Sequence, residues 1–239
     1  ILSTTKERGK WTSLRDALKS PFRAFFRLIT YVVVILAMTP VQVIFRWFGS
    51  SLSASLPMAF HGLCCQIFGI RVVVRGTVES SRPILFVANH CSYSDVMVLG
   101  SVITGSFVAK AEVASWPLFG FLAKLQNTVF IERTGIKARE QRDGMIQRLA
   151  AGDNLILFPE GTSDDGNRVL PFKSALFSVA QQPLGNGATV TIQPVSIAYT
   201  RLDGMPTGRA LKPYFAWYGD MELASHIWEL AGLGLITVE

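Results

Sequence analysis

Apolar positions along this chain gather into two kinds of run. Two long ones come first: residues 28–45 (LITYVVVILAMTPVQVIF) hold no charged side chain, and beyond Gly49-Ser50-Ser51 a second apolar stretch covers 56–68. The first, about 18 residues, approaches the length that crosses a bilayer as a helix, although Thr39, Pro40 and Gln42 weaken it. The pair predicts two helices forming a membrane-embedded or membrane-surface hairpin. The short runs follow. Residues 83–88 (PILFVA), 129–131, 154–157 and 192–199 are brief and apolar, with branched and aromatic side chains, and three of the four deliver polar residues where they stop, the pattern of buried strands. Further strands are predicted at 69–76, 217–221 and 233–239, and helices at 116–126, 136–151, 175–181 and 225–231, while 183–188 reads as a Gly-containing loop. Strands alternating with helices predict an α/β fold, a mainly parallel sheet flanked by helices and preceded by the two-helix segment. The chain divides accordingly into a basic arm (1–27), an apolar membrane-associated pair of helices (28–68) and an α/β domain (69–239).

Charge sharpens this division. Lys6, Arg8, Lys10, Arg15, Lys19, Arg23 and Arg27 against Glu7 and Asp16 give the first 27 residues +5 of the whole chain's +6, so the basic arm is the part drawn to anionic headgroups. A secretory signal shares the basic lead and apolar core, but this core starts late and is long. A buried globular helix pair is the other competing account of 28–68. With 239 residues and 49% hydrophobic content, one sizeable core is expected. Cys64, Cys65 and Cys91 form no CxxC pattern and read as reduced thiols in a cytosolic setting. The histidines His61, His90 and His226 are isolated, so no metal site is expected. Neither a GxSxG elbow nor a GxxxxGK[ST] loop occurs, which argues against an ordinary serine hydrolase or P-loop enzyme. The first residue is not Met and the last lie in a strand-like run, implying further residues at both ends.

The candidate chemistry sits at the exit of the 83–88 strand, in Asn89-His90-Cys91-Ser92-Tyr93-Ser94-Asp95. On one continuous helix, residues five apart are offset by roughly 140° at ~100° per residue and do not face each other. With His90 at the strand's exit and Asp95 in the first turn of a following helix, for which Ser92 and Ser94 are N-cap candidates, the carboxylate folds back onto the imidazole. It then fixes the ring tautomer and leaves the other nitrogen free to take a proton. Cys91 offers a Cys-His alternative, disfavoured because neighbours on an extended segment point to opposite sides. Other strand-like runs end in Phe158-Pro159-Glu160-Gly161-Thr162-Ser163 and Phe130-Ile131-Glu132-Arg133, and ligands of open α/β sheets bind outside the carboxyl ends of the strands.

In order and spacing, NHxxxxD, FIxR, FPEGT and PVSIxY resemble the four sequence blocks of the glycerolipid acyltransferase family, which includes the 1-acylglycerol-3-phosphate acyltransferases; the resemblance runs from about Gly69 to Tyr199. It implies His90 as general base with Asp95 orienting it, Lys110 near the reacting carbonyl, and Arg133, Glu160, Gly161, Thr162, Ser163 and Lys173 as substrate-binding, with Pro194 in a structural block. Many phosphatidate-forming members carry arginine directly after EGT, where this chain has Ser163. A serine hydroxyl cannot replace a charged fork on a phosphate monoester. GTSxDG followed by LPFKS, with Lys173, looks more like members that acylate lyso-aminolipids of the lyso-ornithine type, often bacterial. Arg133, Arg168 and Lys173 keep lysophosphatidate in play. No cofactor is implied beyond an acyl carrier protein or coenzyme A thioester as donor. Membrane lipids are the expected partners, nucleic acid is not, and the implied location is the cytoplasmic face of a bacterial inner membrane.

The resemblance thus predicts a membrane-associated O-acyltransferase acting on a lysolipid hydroxyl. Two alternatives stand beside it: a non-catalytic membrane-surface lipid-binding protein, and a lipid or thioester hydrolase in which water replaces the acceptor.

Overall fold

Ser20 and Pro21 start the first helix. The Ser20 side chain accepts from the Arg23 N–H at 3.3 Å and Pro21 occupies the first turn, where a missing N–H costs nothing. In this computed structural model, which describes residues 18–81, 83–132, 136–181, 187 and 189–239, helix α1 is Pro21–Trp47 and helix α2 is Leu52–Phe68. Of the basic arm, residues 1–17 lie outside the described residues, while 18–27, with Lys19, Arg23 and Arg27, are described and run into α1. Helix α1 begins before the uncharged run because Arg23 and Arg27 do not break it. Their guanidiniums reach back to the carbonyls of Gly232 (2.7 Å), Ala231 (3.1 Å) and Leu233 (2.7 Å). Helix α2 stops at Gly69, whose φ of 70° favours glycine; a Cβ there would also stand 2.2 Å from Arg27 Nη2.

Behind the two helices the chain forms β1 (Ile70–Val72), β2 (Ile84–Ala88), α3 (Ser94–Gly100), β3 (Ser106–Lys110), a 3₁₀ turn at Ala111–Ser115, α4 (Phe119–Leu125), β4 (Val129–Ile131), α5 (Ile136–Ala150) and β5 (Leu155–Leu157). Then come the single-turn α6 (Ser174–Phe177) with a 3₁₀ turn at Ser178–Gln181, β6 (Thr191–Val195), β7 (Tyr199–Leu202), β8 (Met205–Pro206), α7 (Gly208–Leu211), α8 (Leu223–Gly232) and β9 (Ile236–Val238). The main sheet is parallel throughout, in the order β4-β3-β5-β2-β6.

β1, β2, β4, β5, β6 and β9 lie in runs legible in the sequence, whereas β3 and β8 were not predicted and β7 was touched only at Tyr199; the distribution of strands between sheets was not legible either. β1 and β9 leave the main sheet and join β7 and β8 in a second sheet, β1-β9-β7-β8, which contains antiparallel pairs. Residues 217–221 are not a strand: Trp217 N–H bonds the Cys91 carbonyl (2.8 Å) and Gly219 takes a φ of 65°, so the segment turns across the site. The 116–126 helix is shortened to α4 by the turn ahead of it. The 183–188 loop lies, except Gly187, outside the described residues.

Alternation along β2 splits the core. Ile84, Phe86 and Ala88 face a cluster shared with α1, α2, α3, α8 and the small sheet, while Leu85 and Val87 face Met145 and Leu149 of α5. Asn154 locks the sheet's entry edge: its Oδ1 accepts from the Ile84 N–H (3.1 Å) and its Nδ2 donates to the Thr104 carbonyl (3.1 Å). All five parallel strands therefore open toward the same side, and their exits form one crevice.

Candidate active site

His90 leaves β2 and Asp95 enters the first turn of α3, as the spacing requires. Asp95 is fully buried, and its Oδ2 accepts from His90 Nδ1 (2.9 Å) and from the backbone N–H groups of Cys91 (2.7 Å) and Ser92 (2.9 Å). Its Oδ1 accepts from the Tyr199 hydroxyl at 2.8 Å. The capping expectation is corrected for Ser94, which lies inside α3; Ser92 Oγ accepts from the Ser94 N–H at 3.4 Å, and the Asp95 carboxylate reaches back and gathers the N–H groups ahead of it. Each polar partner of Asp95 donates, so His90 Nδ1 supplies the proton of their shared bond and Nε2 keeps its lone pair. The imidazole is stacked on Phe158 with ring centroids 4.1 Å apart, and Phe158 in turn stacks on Phe107.

Two further clamps hold the corner. Asn89 exchanges hydrogen bonds with the Ile197 backbone, donating to its carbonyl (3.0 Å) and accepting from its N–H (2.7 Å). Glu160, 2% exposed, accepts from the His90 N–H through Oε1 (2.7 Å) and from the Leu170 N–H through Oε2 (2.7 Å). Contrary to the acceptor role expected for Glu160, both oxygens of its carboxylate are turned to the backbone and it does not line the cavity. It ties the His90 corner to the loop after β5.

Burial pushes the Cys91 thiol well above its ordinary range, and the adjacent Asp95 carboxylate adds to the effect. Its Sγ lies 3.7 Å from Asp95 Oδ1. A thiol held neutral behind the dyad is no nucleophile.

Beside His90 opens a mostly apolar cavity of about 380 Å³, within the range of small-molecule pockets. Helices α1 and α2 supply one wall, through residues such as Met38, Leu56 and Phe60, and the strand exits supply the other. Lys110, at the end of β3, lines it, as do Gly161, Thr162 and Ser163. Gly161 has a φ of 69°, and a Cβ on it would press 3.2 Å from the side chain of Lys173. Lys173 itself is exposed and does not line the cavity; Arg168 is exposed and pairs with Asp164 at 2.6 Å. Arg133 lies outside the described residues. The Ser163 hydroxyl donates to the Trp217 carbonyl, so its proton is spent on the protein.

The backbone N–H groups of Cys91 and Ser92, the first two after His90, are already spent on Asp95 and are not free for a developing oxyanion. Trp217, whose backbone joins Cys91 to Ser163 and whose ring lines the cavity, was not singled out as a site residue from sequence, because its place depends on contacts with residues more than fifty positions away. The arrangement can take a proton at His90 Nε2 beside an apolar space.

Comparison with known proteins agrees with this geometry. A family model described as Acyltransferase matches residues 69–198. The chain is 43% identical over 220 residues to the lyso-ornithine lipid O-acyltransferase of Brucella abortus, spanning 91% of this chain and 82% of that one. It is 41% identical over 211 residues to the protein of the same name from Rhizobium meliloti, spanning 87% and 72%. A 1-acyl-sn-glycerol-3-phosphate acyltransferase of Neisseria gonorrhoeae is 32% identical over 168 residues, 70% of this chain and 62% of that one. The crystal structure of the 1-acyl-sn-glycerophosphate acyltransferase PlsC from Thermotoga maritima shares the fold, with a TM-score of 0.53, 23% identity, and coverage of 73% of this chain and 83% of that one. A His–Asp dyad whose histidine lines an apolar cavity, in a chain whose residues 69–198 match the family model and which is 43% identical to the Brucella abortus protein, has one conclusion: this protein belongs to the acyltransferase family.

Proposed function

We propose that this enzyme moves a fatty acyl group from an acyl carrier protein or coenzyme A thioester to the hydroxyl of a lysolipid, a lyso-ornithine-type aminolipid ahead of 1-acylglycerol-3-phosphate. The observation that carries the reading is His90, fixed by Asp95 through Nδ1, with Nε2 at the wall of an apolar cavity. His90 Nε2 takes the acceptor's hydroxyl proton as the new C–O ester bond forms, a contribution of about 10² to 10⁴ in rate. The C–S bond breaks and the proton passes to the departing thiolate. Lys110 meets the charge developing on the carbonyl oxygen, and the cavity between the helices and the sheet receives acyl chain.

Membrane association has a physical basis in α1. Phe22 (79% exposed), Phe26 (64%), Leu36 (68%) and Trp47 (84%) lie along a helix of about 40 Å. Both ends of α1 are fastened to the same body: Arg23 and Arg27 bind carbonyls at the end of α8, while Arg46 binds those of Lys124 (3.1 Å) and Leu125 (2.8 Å) at the end of α4. A helix so held lies along a lipid surface instead of crossing it, and the lysolipid enters from that leaflet.

The test is acyl transfer by the full chain with lyso-ornithine lipid in mixed micelles, products identified by mass spectrometry. His90→Ala is expected to abolish transfer with its melting temperature retained; a folded variant that still transfers would refute the assignment.

A further inference from the structure

Part of the cavity lining consists of aromatic rings and one carboxylate, and the chemistry so far described uses none of it. Trp116, which ends the 3₁₀ turn, and Trp217 both line the cavity and meet edge to face, centroids 6.0 Å apart at 87°. Tyr93 packs against Trp217 from the other side at 6.2 Å, and Trp217 Nε1 is held by the Met221 carbonyl at 2.9 Å, so the ring is fixed before any ligand arrives. Glu112, in the same 3₁₀ turn, is exposed and lines the cavity; among the described residues its carboxylate has neither a hydrogen-bond nor an ionic partner. Two perpendicular indoles and an unspent carboxylate lining one cavity attract an ammonium group, through the ring faces and through charge. The same carboxylate repels a phosphate monoester. Resting on the transfer reaction proposed above, we infer that Glu112, Trp116 and Trp217 form the acceptor-headgroup subsite, and that it selects a lysolipid bearing a free ammonium group.

Lyso-ornithine lipid has such a group and 1-acylglycerol-3-phosphate does not, so the two serve as probes. With the full chain and one acyl donor, Trp217→Leu and Glu112→Gln are expected to raise KM for lyso-ornithine lipid about tenfold, a loss between those of an exposed and a desolvated cation–aromatic contact. kcat and the KM for donor stay put, and Glu112→Gln leaves transfer to 1-acylglycerol-3-phosphate equal or better. Trp217→Phe, which keeps a ring, recovers most of the affinity. Should Trp217→Leu fail to fold, Glu112→Gln and Trp116→Leu decide the matter alone. Equal losses on both acceptors, or a change confined to the donor's KM, overturn the inference. If the parent protein transfers nothing to either lipid, the proposed reaction fails, and equilibrium binding to the His90→Ala protein becomes the deciding measurement. Binding of lyso-ornithine lipid weakened by Glu112→Gln upholds the subsite; binding indifferent to it, or absent, overturns it.

Discussion

Asp95→Asn separates charge from shape at the point where the site is most tightly built. Oδ2 faces three donors, from His90, Cys91 and Ser92, and Oδ1 faces the Tyr199 hydroxyl, whose oxygen also lies 2.6 Å from Ser94 Oγ. An amide oxygen must take the Oδ2 position. An NH2 there would leave buried donors facing another donor, at about 1–3 kcal/mol for each unsatisfied group. The NH2 then falls at the Oδ1 position, where Tyr199 turns to accept from it and donates to Ser94 instead. The ring of His90 therefore keeps its place and tautomer, and what is lost is charge. Four bonds each weaken by about 1 kcal/mol, partly offset because a carboxylate is no longer buried, giving a net destabilisation of about 1–3 kcal/mol. The imidazolium formed when His90 takes the hydroxyl proton then has no anion beside it, and kcat is expected to fall about 10²- to 10⁴-fold. Thermal melts and steady-state release of thiol in the presence of lysolipid measure the two quantities. A folded variant whose kcat stays within about threefold of the parent would show that Asp95 does not serve the proton transfer.

Asp95→Ala, which strands the Cys91 and Ser92 N–H groups, is expected to cost more stability than Asp95→Asn, about 3–5 kcal/mol by denaturant unfolding. Glu160→Gln lets only one oxygen accept where two N–H groups now bond, so kcat is expected to drop about tenfold with KM held and the form of the pH–rate profile unchanged, as suits a positioning residue. Cys91→Ala should keep the activity. Because the folded protein holds the Cys91 proton that the unfolded chain releases above about pH 8.5, its stability contribution is whole below that pH and declines as pH rises, by at most about 1.4 kcal/mol per unit; a melting temperature unchanged between pH 8 and 10 in the parent and lowered in Cys91→Ala would contradict this. The double substitution Arg23→Ala with Arg27→Ala removes the carbonyl contacts that bind α1 to α8, and faster cleavage within α1 by limited proteolysis is the expected readout, with vesicle binding retained.

What could be read from the sequence was local. A strand exit followed at once by a helix start fixes how far His90 stands from Asp95, and FPEGT carries its own turn through Gly161. What could not be read depends on partners far along the chain. Tyr199 donates to Asp95 across 104 positions, Asn89 bridges to Ile197, and Glu160 reaches the His90 N–H. The last of these was assigned to ligand contact, because an acidic residue in a motif shows its type but not which way it points. The resemblance counts Ser163 among the substrate-binding residues, and its link to Trp217 depends on a segment mistaken for a strand. Sheet membership failed for a related reason. Residues 70–72 and 236–238 have the same short apolar pattern as the main-sheet strands, and nothing local reveals that they pair with each other.

That pairing bears on how the molecule is made. Ile70 lies opposite Ile236, and the carbonyls that receive Arg23 and Arg27 come from the end of α8, just ahead of β9. A ribosome delivers the apolar hairpin long before the segments that will hold it, and long-range contacts form late. If α1 associates with lipid as proposed, the nascent chain is expected to meet that surface, or a chaperone, ahead of α8, before the catalytic crevice is complete. Arresting synthesis before α8 provides the check: stalled chains should already float with vesicles, and recovery of those chains in the soluble fraction would reverse the sequence of events.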